Sequence, residues 1–134
     1  MIKQFLRYYF RASTKYRVHS PFVYNLLKDV IEDDRYYYAF DTLKTLKERL
    51  LKRYEEINIL DLGAGSRKKA GNRRKISDIA KTSVSPKWQC RFLFRLINHI
   101  KPETILEMGT SLGISSMHLH FGNKSSKMIT LEGS

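Results

Sequence analysis

The sequence predicts an α/β fold: a helical N-terminal extension followed by the start of a doubly wound parallel sheet. Two observations carry this reading. Apolar residues recur at helical spacing through most of the first hundred positions. Near the C-terminus the period changes twice, from strand to helix and back, around a pair of glycines. There, Thr104-Ile105-Leu106 is a short apolar run between Pro102 and Gly109, the pattern of a buried strand. Ile114, Met117 and Phe121 then return to helical spacing, and Met128-Ile129-Thr130-Leu131 reads as a second strand after the turn Gly122-Asn-Lys-Ser-Ser126. Strand, glycine loop, helix and strand within about thirty residues form a βαβ unit, whose crossover is expected to be right-handed.

The elements before it follow in order. Ile2, Phe5, Leu6 and Tyr9 share one helical face while Lys3, Arg7 and Arg11 lie elsewhere. This is a short basic amphipathic helix, suited to packing on its own domain, to a partner or to a membrane surface. Ser20-Pro21 is a helix start, with serine as cap and proline at the first helical position. The stripe of Phe22, Val23, Leu26, Leu27, Val30 and Ile31 follows, and Glu32-Asp33-Asp34 carries the wrong charge for a helix C-terminus. Tyr36 to Tyr38 open a third segment, in which Phe40, Leu43, Leu46, Leu50, Leu51 and Tyr54 mark a long helix with a lysine- and arginine-rich outer face. Ile76 to Thr82 reads as a short helix. Ser85-Pro86 repeats the cap-plus-proline start, and Trp88, Phe92, Leu93, Leu96, Ile97 and Ile100 form a strong stripe running into Pro102.

Between these helices lies Ile57-Asn-Ile-Leu-Asp-Leu-Gly-Ala-Gly-Ser66, an apolar run with an acid at Asp61 and glycines at 63 and 65. The nine residues Arg67 to Lys75 that follow include six basic ones. This run contains no amphipathic stripe, so it reads as a charged loop, and Asp61 as part of a supporting strand or turn. With no aromatic among the nine, base stacking is not expected, and what remains is nonspecific polyanion contact through 67–75.

Composition bounds the function. The formal charge is +12. From Lys101 onward three basic residues (Lys101, Lys124, Lys127) balance three acidic ones (Glu103, Glu107, Glu132), so the whole excess precedes that point. Such a balance raises the expectation of a polyanionic or acidic partner. The single cysteine, Cys90, forms no disulfide within the chain, which fits a reducing compartment, and it reads as an inert thiol. No apolar run approaches the length of a transmembrane segment, and the N-terminus is too broken by charge for a signal peptide. The expected location is the cytoplasm. No histidine spacing resembles a metal site, His118 and His120 facing different sides of a helix.

The chemistry concentrates in the loop of the βαβ unit. Glu107 stands at the end of the first strand, and Gly109 and Gly113 flank Thr110-Ser111-Leu112. Glycines there allow a ligand to approach backbone and the chain to turn sharply into a helix whose N-terminus suits an anion. Glu132 follows the second strand, about twenty residues after the glycine turn, where a ribose hydroxyl pair is usually held. The spacing E-x-G-x-x-x-G lacks the third glycine of a dinucleotide fingerprint, which disfavours a nucleotide-binding oxidoreductase.

The run Glu-Met-Gly-Thr-Ser-Leu-Gly-Ile-Ser-Ser, with Thr-Leu-Glu at the second strand, resembles motif I of class I S-adenosylmethionine-dependent methyltransferases. It is particularly similar to the small-molecule O-methyltransferases of the catechol type. Arg17-Val-His-Ser-Pro-Phe-Val-Tyr24 is similar to an N-terminal signature of a group of bacterial proteins that are themselves similar to that class. The resemblance implies a Rossmann-like doubly wound methyltransferase sheet, incomplete in this chain. Residues 1–100 would be a basic helical N-terminal region with a short strand or loop near 57–75, and 101–134 the first βαβ of the cofactor-binding domain. It implies S-adenosyl-L-methionine as cofactor, held by Glu107, Gly109, Thr110, Ser111, Gly113, Ser115 and Glu132, with a small-molecule methyl acceptor. It identifies no catalytic base. Only about two strands of a seven-stranded sheet follow motif I, so the chain is expected to be an N-terminal fragment, and the resemblance does not imply that it is active alone. Its last strand would be an exposed edge open to homo-oligomer formation. Asp61-Leu-Gly-Ala-Gly is a second, less complete version of the motif. The alternative reading is a non-enzymatic basic module that binds nucleic acid or an acidic partner through the first hundred residues.

Overall fold

A computed structural model describes residues 2–59, 73–82 and 84–133, except 12–16. The motif around Asp61, Gly63 and Gly65 and the basic residues 67–69 lie outside the described residues. The chain divides into two compact units, Met1–Asp34 and Arg35–Ser134. The described residues form a mixed α/β arrangement of six helices and two small two-stranded sheets.

In the first unit, helix α1 spans Ile2–Arg11 and leaves Ile2, Phe5 and Phe10 largely exposed. Of the three uses read for this stripe, packing on its own domain is not seen among the described residues, Leu6 and Tyr9 being exposed as well. Helix α2, Pro21–Leu26, starts as anticipated: the Ser20 hydroxyl accepts the Val23 N–H and Pro21 opens the first turn. It widens into a π-helical turn over Leu27–Ile31, closed by Glu32 N–H donating to the Leu27 carbonyl. The acidic triplet thus begins where the helix stops.

In the second unit, α3 (Ala39–Leu51) buries Ala39, Phe40 and Leu43. Strand β1 (Glu56–Asn58) pairs antiparallel with β2 (Arg73–Lys75), Ile57 opposite Arg74. The end of the expected basic loop is therefore a strand. Its charged side chains hid the pattern, because this short sheet buries no apolar face. Helix α4 (Ile76–Thr82) follows at once, tied back by Ser77 N–H to the Arg53 carbonyl.

Helix α5 spans Lys87–Ile100. Its start corrects the cap-plus-proline expectation: Pro86 itself is the cap residue and no side chain caps the first turn. The Ser85 carbonyl instead accepts from the Cys90 thiol at 3.5 Å. Trp88, expected in the buried stripe, is 72% exposed because it sits in the first turn, ahead of the packed part of the helix. The helix ends with Lys101 in the left-handed region (φ 50°), its N–H on the Ile97 carbonyl.

Strand β3 (Thr104–Met108), helix α6 (Ile114–Gly122) and strand β4 (Lys127–Leu131) complete the unit, and β3 and β4 pair in parallel with Thr104 opposite Lys127 and Met108 opposite Leu131. The turn after α6 is organised by Asn123, whose amide donates to the Ser126 hydroxyl at 2.8 Å while its carbonyl accepts the Ser125 N–H. The parallel βαβ order is as read from the sequence, but the two sheets stay separate, so the described residues contain no larger doubly wound sheet.

The core lies on one side of β3 and β4. Ile105 packs with Ile97 and Leu119, joined by Leu93 and Met128. Beside it an aromatic cluster forms from Phe40, Phe94, Tyr37 and Phe121, with Phe40 and Phe94 edge to face at 5.0 Å, a geometry that adds to plain area burial. On the opposite face of β3 and β4, Leu106, Met108, Ile129 and Leu131 are 61, 81, 40 and 54% exposed, bare among the described residues. No helix among the described residues is long and apolar enough to cross a membrane.

Candidate functional site

The parallel register places the ends of β3 and β4 side by side, with Gly109 N–H donating to the Leu131 carbonyl at 2.8 Å. Glu107 and Glu132 therefore stand at the same edge of the sheet, one on each side of the loop 109–113. Three loop residues lie at positive φ: Gly109 (90°), Ser111 (49°) and Gly113 (72°). The two glycines are needed for this path, since a residue with a Cβ is strained there. Ser111 reaches the same region as a non-glycine, and its N–H donates to the Glu132 carboxylate, which holds it in place.

Glu132 also accepts the Gly133 N–H at 3.1 Å. The acid after the second strand thus closes the loop that follows the first. Glu107 points to the start of α6 and accepts from two hydroxyls, Ser115 at 2.7 Å and Ser116. A carboxylate beside the first turn also matches the positive end of the helix. Ser116 was missed at the sequence level. Its signal was the repeated serine in the first turn of the helix, where either hydroxyl can reach back to the strand.

Gly113 caps α6 without a side chain, so the first N–H groups of the helix have no side-chain acceptor from the cap. A small cavity of about 50 Å³ lies over the loop between Val84, Ser85, Gly109, Thr110 and Ser115. The Thr110 hydroxyl oxygen is buried beside it with no hydrogen-bond partner among the described residues.

These features fit the cofactor implied by the resemblance. A Cβ on Gly109 would meet nothing within 4 Å, so the loop backbone is open to a ligand. Thr110 offers an unused hydroxyl. A carboxylate acceptor such as Glu132 is of the chemistry that takes a pair of ribose hydroxyls. All seven expected residues, Glu107, Gly109, Thr110, Ser111, Gly113, Ser115 and Glu132, gather at this edge. Glu107 is the one turned toward the helix, which makes it a positioning group for α6.

A second, larger cavity of about 270 Å³ opens between α3, α5 and α6. It touches the first through Ser85 and Ile114, which line both. His118 is in its wall. The Nδ1–H of His118 donates to the Ile114 carbonyl at 2.8 Å, which leaves Nε2 as the unprotonated nitrogen. Burial lowers the His118 pKa from its usual 6.5; the bond to the Ile114 carbonyl opposes this, and Arg91 and Lys47 add to it. Cys90 also lines this cavity, and burial raises its thiol further from ionisation. No group of three or more His, Cys, Asp or Glu among the described residues is placed to hold a metal ion.

The histidine shift has a sign that can be tested. Its folded pKa lies below the unfolded value, so the unfolded chain binds the proton more readily. The associated stability is fully present above pH 6.5 and is lost as pH falls from 6.5 toward the lower folded value. His118→Phe, which keeps a ring near Phe40 (centroids 6.4 Å apart in the native pair), should flatten the pH dependence of thermal stability just below 6.5. An unchanged slope in that window would show that the shift does not operate.

No protein-family model, curated protein or solved structure matches this chain.

Proposed function

We propose that this chain supplies the cofactor-binding start of an S-adenosylmethionine-dependent methyltransferase acting on a small-molecule oxygen or nitrogen acceptor. The observation that carries the reading is the convergence of two acids and a glycine loop at one sheet edge. The parallel pairing of Met108 with Leu131 brings Glu132 against the loop 109–113, with both glycines at positive φ. The finer fold reading, the start of a Rossmann-like doubly wound sheet, belongs to the same proposal and draws support from the parallel βαβ order.

When bound, S-adenosylmethionine supplies an electrophilic methyl group on a sulfonium. Glu132 would hold the ribose hydroxyls, the Gly109–Gly113 backbone and Thr110 the methionine part, and the N-terminus of α6 its carboxylate. Glu107 keeps α6 and the loop in register through Ser115 and Ser116. Catalysis in such a site is mostly positioning, and these residues bind and orient without moving a proton.

Calorimetry with S-adenosylhomocysteine and NAD tests the reading on wild type and Glu132→Ala. The expected result is weak binding of S-adenosylhomocysteine, weaker binding of NAD, and loss of roughly 1–3 kcal/mol of affinity on removing a charged hydrogen-bond acceptor. Equal affinity for both proteins would remove Glu132 from the site, and preference for NAD would move the chain to a different class.

A further inference from the structure

We propose that the cavity between α3, α5 and α6 is a binding site for a small aromatic carboxylate, distinct from the glycine-loop site and independent of the methyl-transfer reading.

The cavity pairs an apolar floor with a cationic rim. Phe40, Leu43 and Ile114, all buried, and the half-buried Leu51 give the floor. The rim holds Lys44, Lys47, Lys87 and Arg91 against a single carboxylate, Glu48. That carboxylate is already shared with Lys44 at 3.9 Å, in a pair that is exposed on both sides. Three cations therefore face an apolar hollow without a carboxylate partner among its lining residues. Positive charge gathered beside low-dielectric walls draws anions more strongly than the same charge on an open surface.

The shape of the charge selects further. The Arg91 guanidinium lies over the Phe40 ring at 4.8 Å and the Tyr36 ring at 5.4 Å. Two rings set at 89° to each other hold the guanidinium at the rim, and the planar N–H fork of an arginine matches a carboxylate better than a single-point anion. Phe40 and His118 offer ring surfaces to an aromatic body. A volume of about 270 Å³ is near the small end of ligand pockets, a size that suits one ring and its acid group. Few polar groups set over an apolar lining is the usual composition of a small-molecule site.

An NMR titration of the full chain with sodium benzoate tests this, using sodium acetate (the charge without the ring) and benzyl alcohol (the ring without the charge) at constant ionic strength. Benzoate is expected to move the amides of Leu43, Leu51 and Ile114 and the His118 ring along one saturating curve. Each control should bind about fivefold more weakly or less, and Lys47→Gln/Lys87→Gln should weaken benzoate by about fivefold, the worth of a partly exposed ion contact. Glu132 does not line the cavity, so Glu132→Ala should retain benzoate binding even where S-adenosylhomocysteine binding is weakened. Equal responses to benzoate and acetate, shifts spread over the lysine-rich surface without saturation, or an unchanged affinity in the double lysine variant would each overturn the proposal.

Discussion

Gly122→Ala should destabilise the second unit by about 1–3 kcal/mol, the usual cost of overpacking a close contact. A Cβ built on Gly122 would stand 2.7 Å from the Phe94 carbonyl oxygen and 2.9 Å from the Ile97 Cβ. Both atoms belong to or hang directly from the α5 backbone, so neither can turn aside as the end of a long side chain would. Relief requires α5 and α6 to separate, and that opens both core clusters, since Phe94 belongs to one and Ile97 to the other. Alanine is the better helix former by about 1 kcal/mol, a gain that the clash outweighs. For a unit near one hundred residues the melting temperature should fall by roughly 10 °C. Gly133→Ala, where a Cβ would meet nothing within 4 Å, is the control and should stay within about 0.5 kcal/mol of wild type. A melt for Gly122→Ala equal to the control would mean that the two helices are not locked at this point.

Gly113→Val should remove S-adenosylhomocysteine binding by at least about tenfold, or 1.4 kcal/mol, while the protein remains folded. The separation of the two effects rests on the local geometry. A Cβ at Gly113 would find only the Ser116 hydroxyl at 4.0 Å, so there is no steric clash. What a β-branched residue cannot tolerate is φ of 72°, at a cost of roughly 1–2 kcal/mol. The loop would relax to a negative φ and turn the first residues of α6, with Ser115 and Ser116, away from Glu107. Calorimetry on the variant measures the loss. Gly63→Val, in the second glycine motif, is the comparison and should cost stability or nothing. Binding that survives Gly113→Val and disappears with Gly63→Val would assign the cofactor to the Asp61 motif.

What could be read from the sequence was whatever repeats at short range. The stripes on α2, α3 and α5 and the change of period around Gly109 and Gly113 placed the helices and the βαβ unit closely, because each depends on neighbours within a turn or a strand. Local pattern failed where the partner is remote or the face is not apolar. Strand β2 is Arg-Arg-Lys and carries no alternation to recognise. Trp88 fits the α5 stripe by spacing and is nevertheless exposed, since periodicity cannot tell how far along a helix the packing extends. The acids and glycines of the loop were legible as a set; Ser116 was not, because it contributes one hydroxyl from a position shared with an equally suitable neighbour. The larger cavity was invisible for a different reason: Leu43, Arg91 and His118 are brought together only by the packing of three helices.

The bare face of β3 and β4 bears on how copies of this protein behave toward one another. Strands of a parallel sheet are normally apolar on both faces because both are covered. These two strands are written that way and, among the described residues, are covered on one side only. With Leu106, Met108, Ile129 and Leu131 outward, attraction between copies is built into the surface, and what opposes it is the mutual repulsion of molecules carrying a formal charge of +12. That repulsion acts over about 10 Å at 0.1 M salt and about 3 Å at 1 M. Added salt is therefore expected to weaken the repulsion between copies while leaving the attraction it opposes in place.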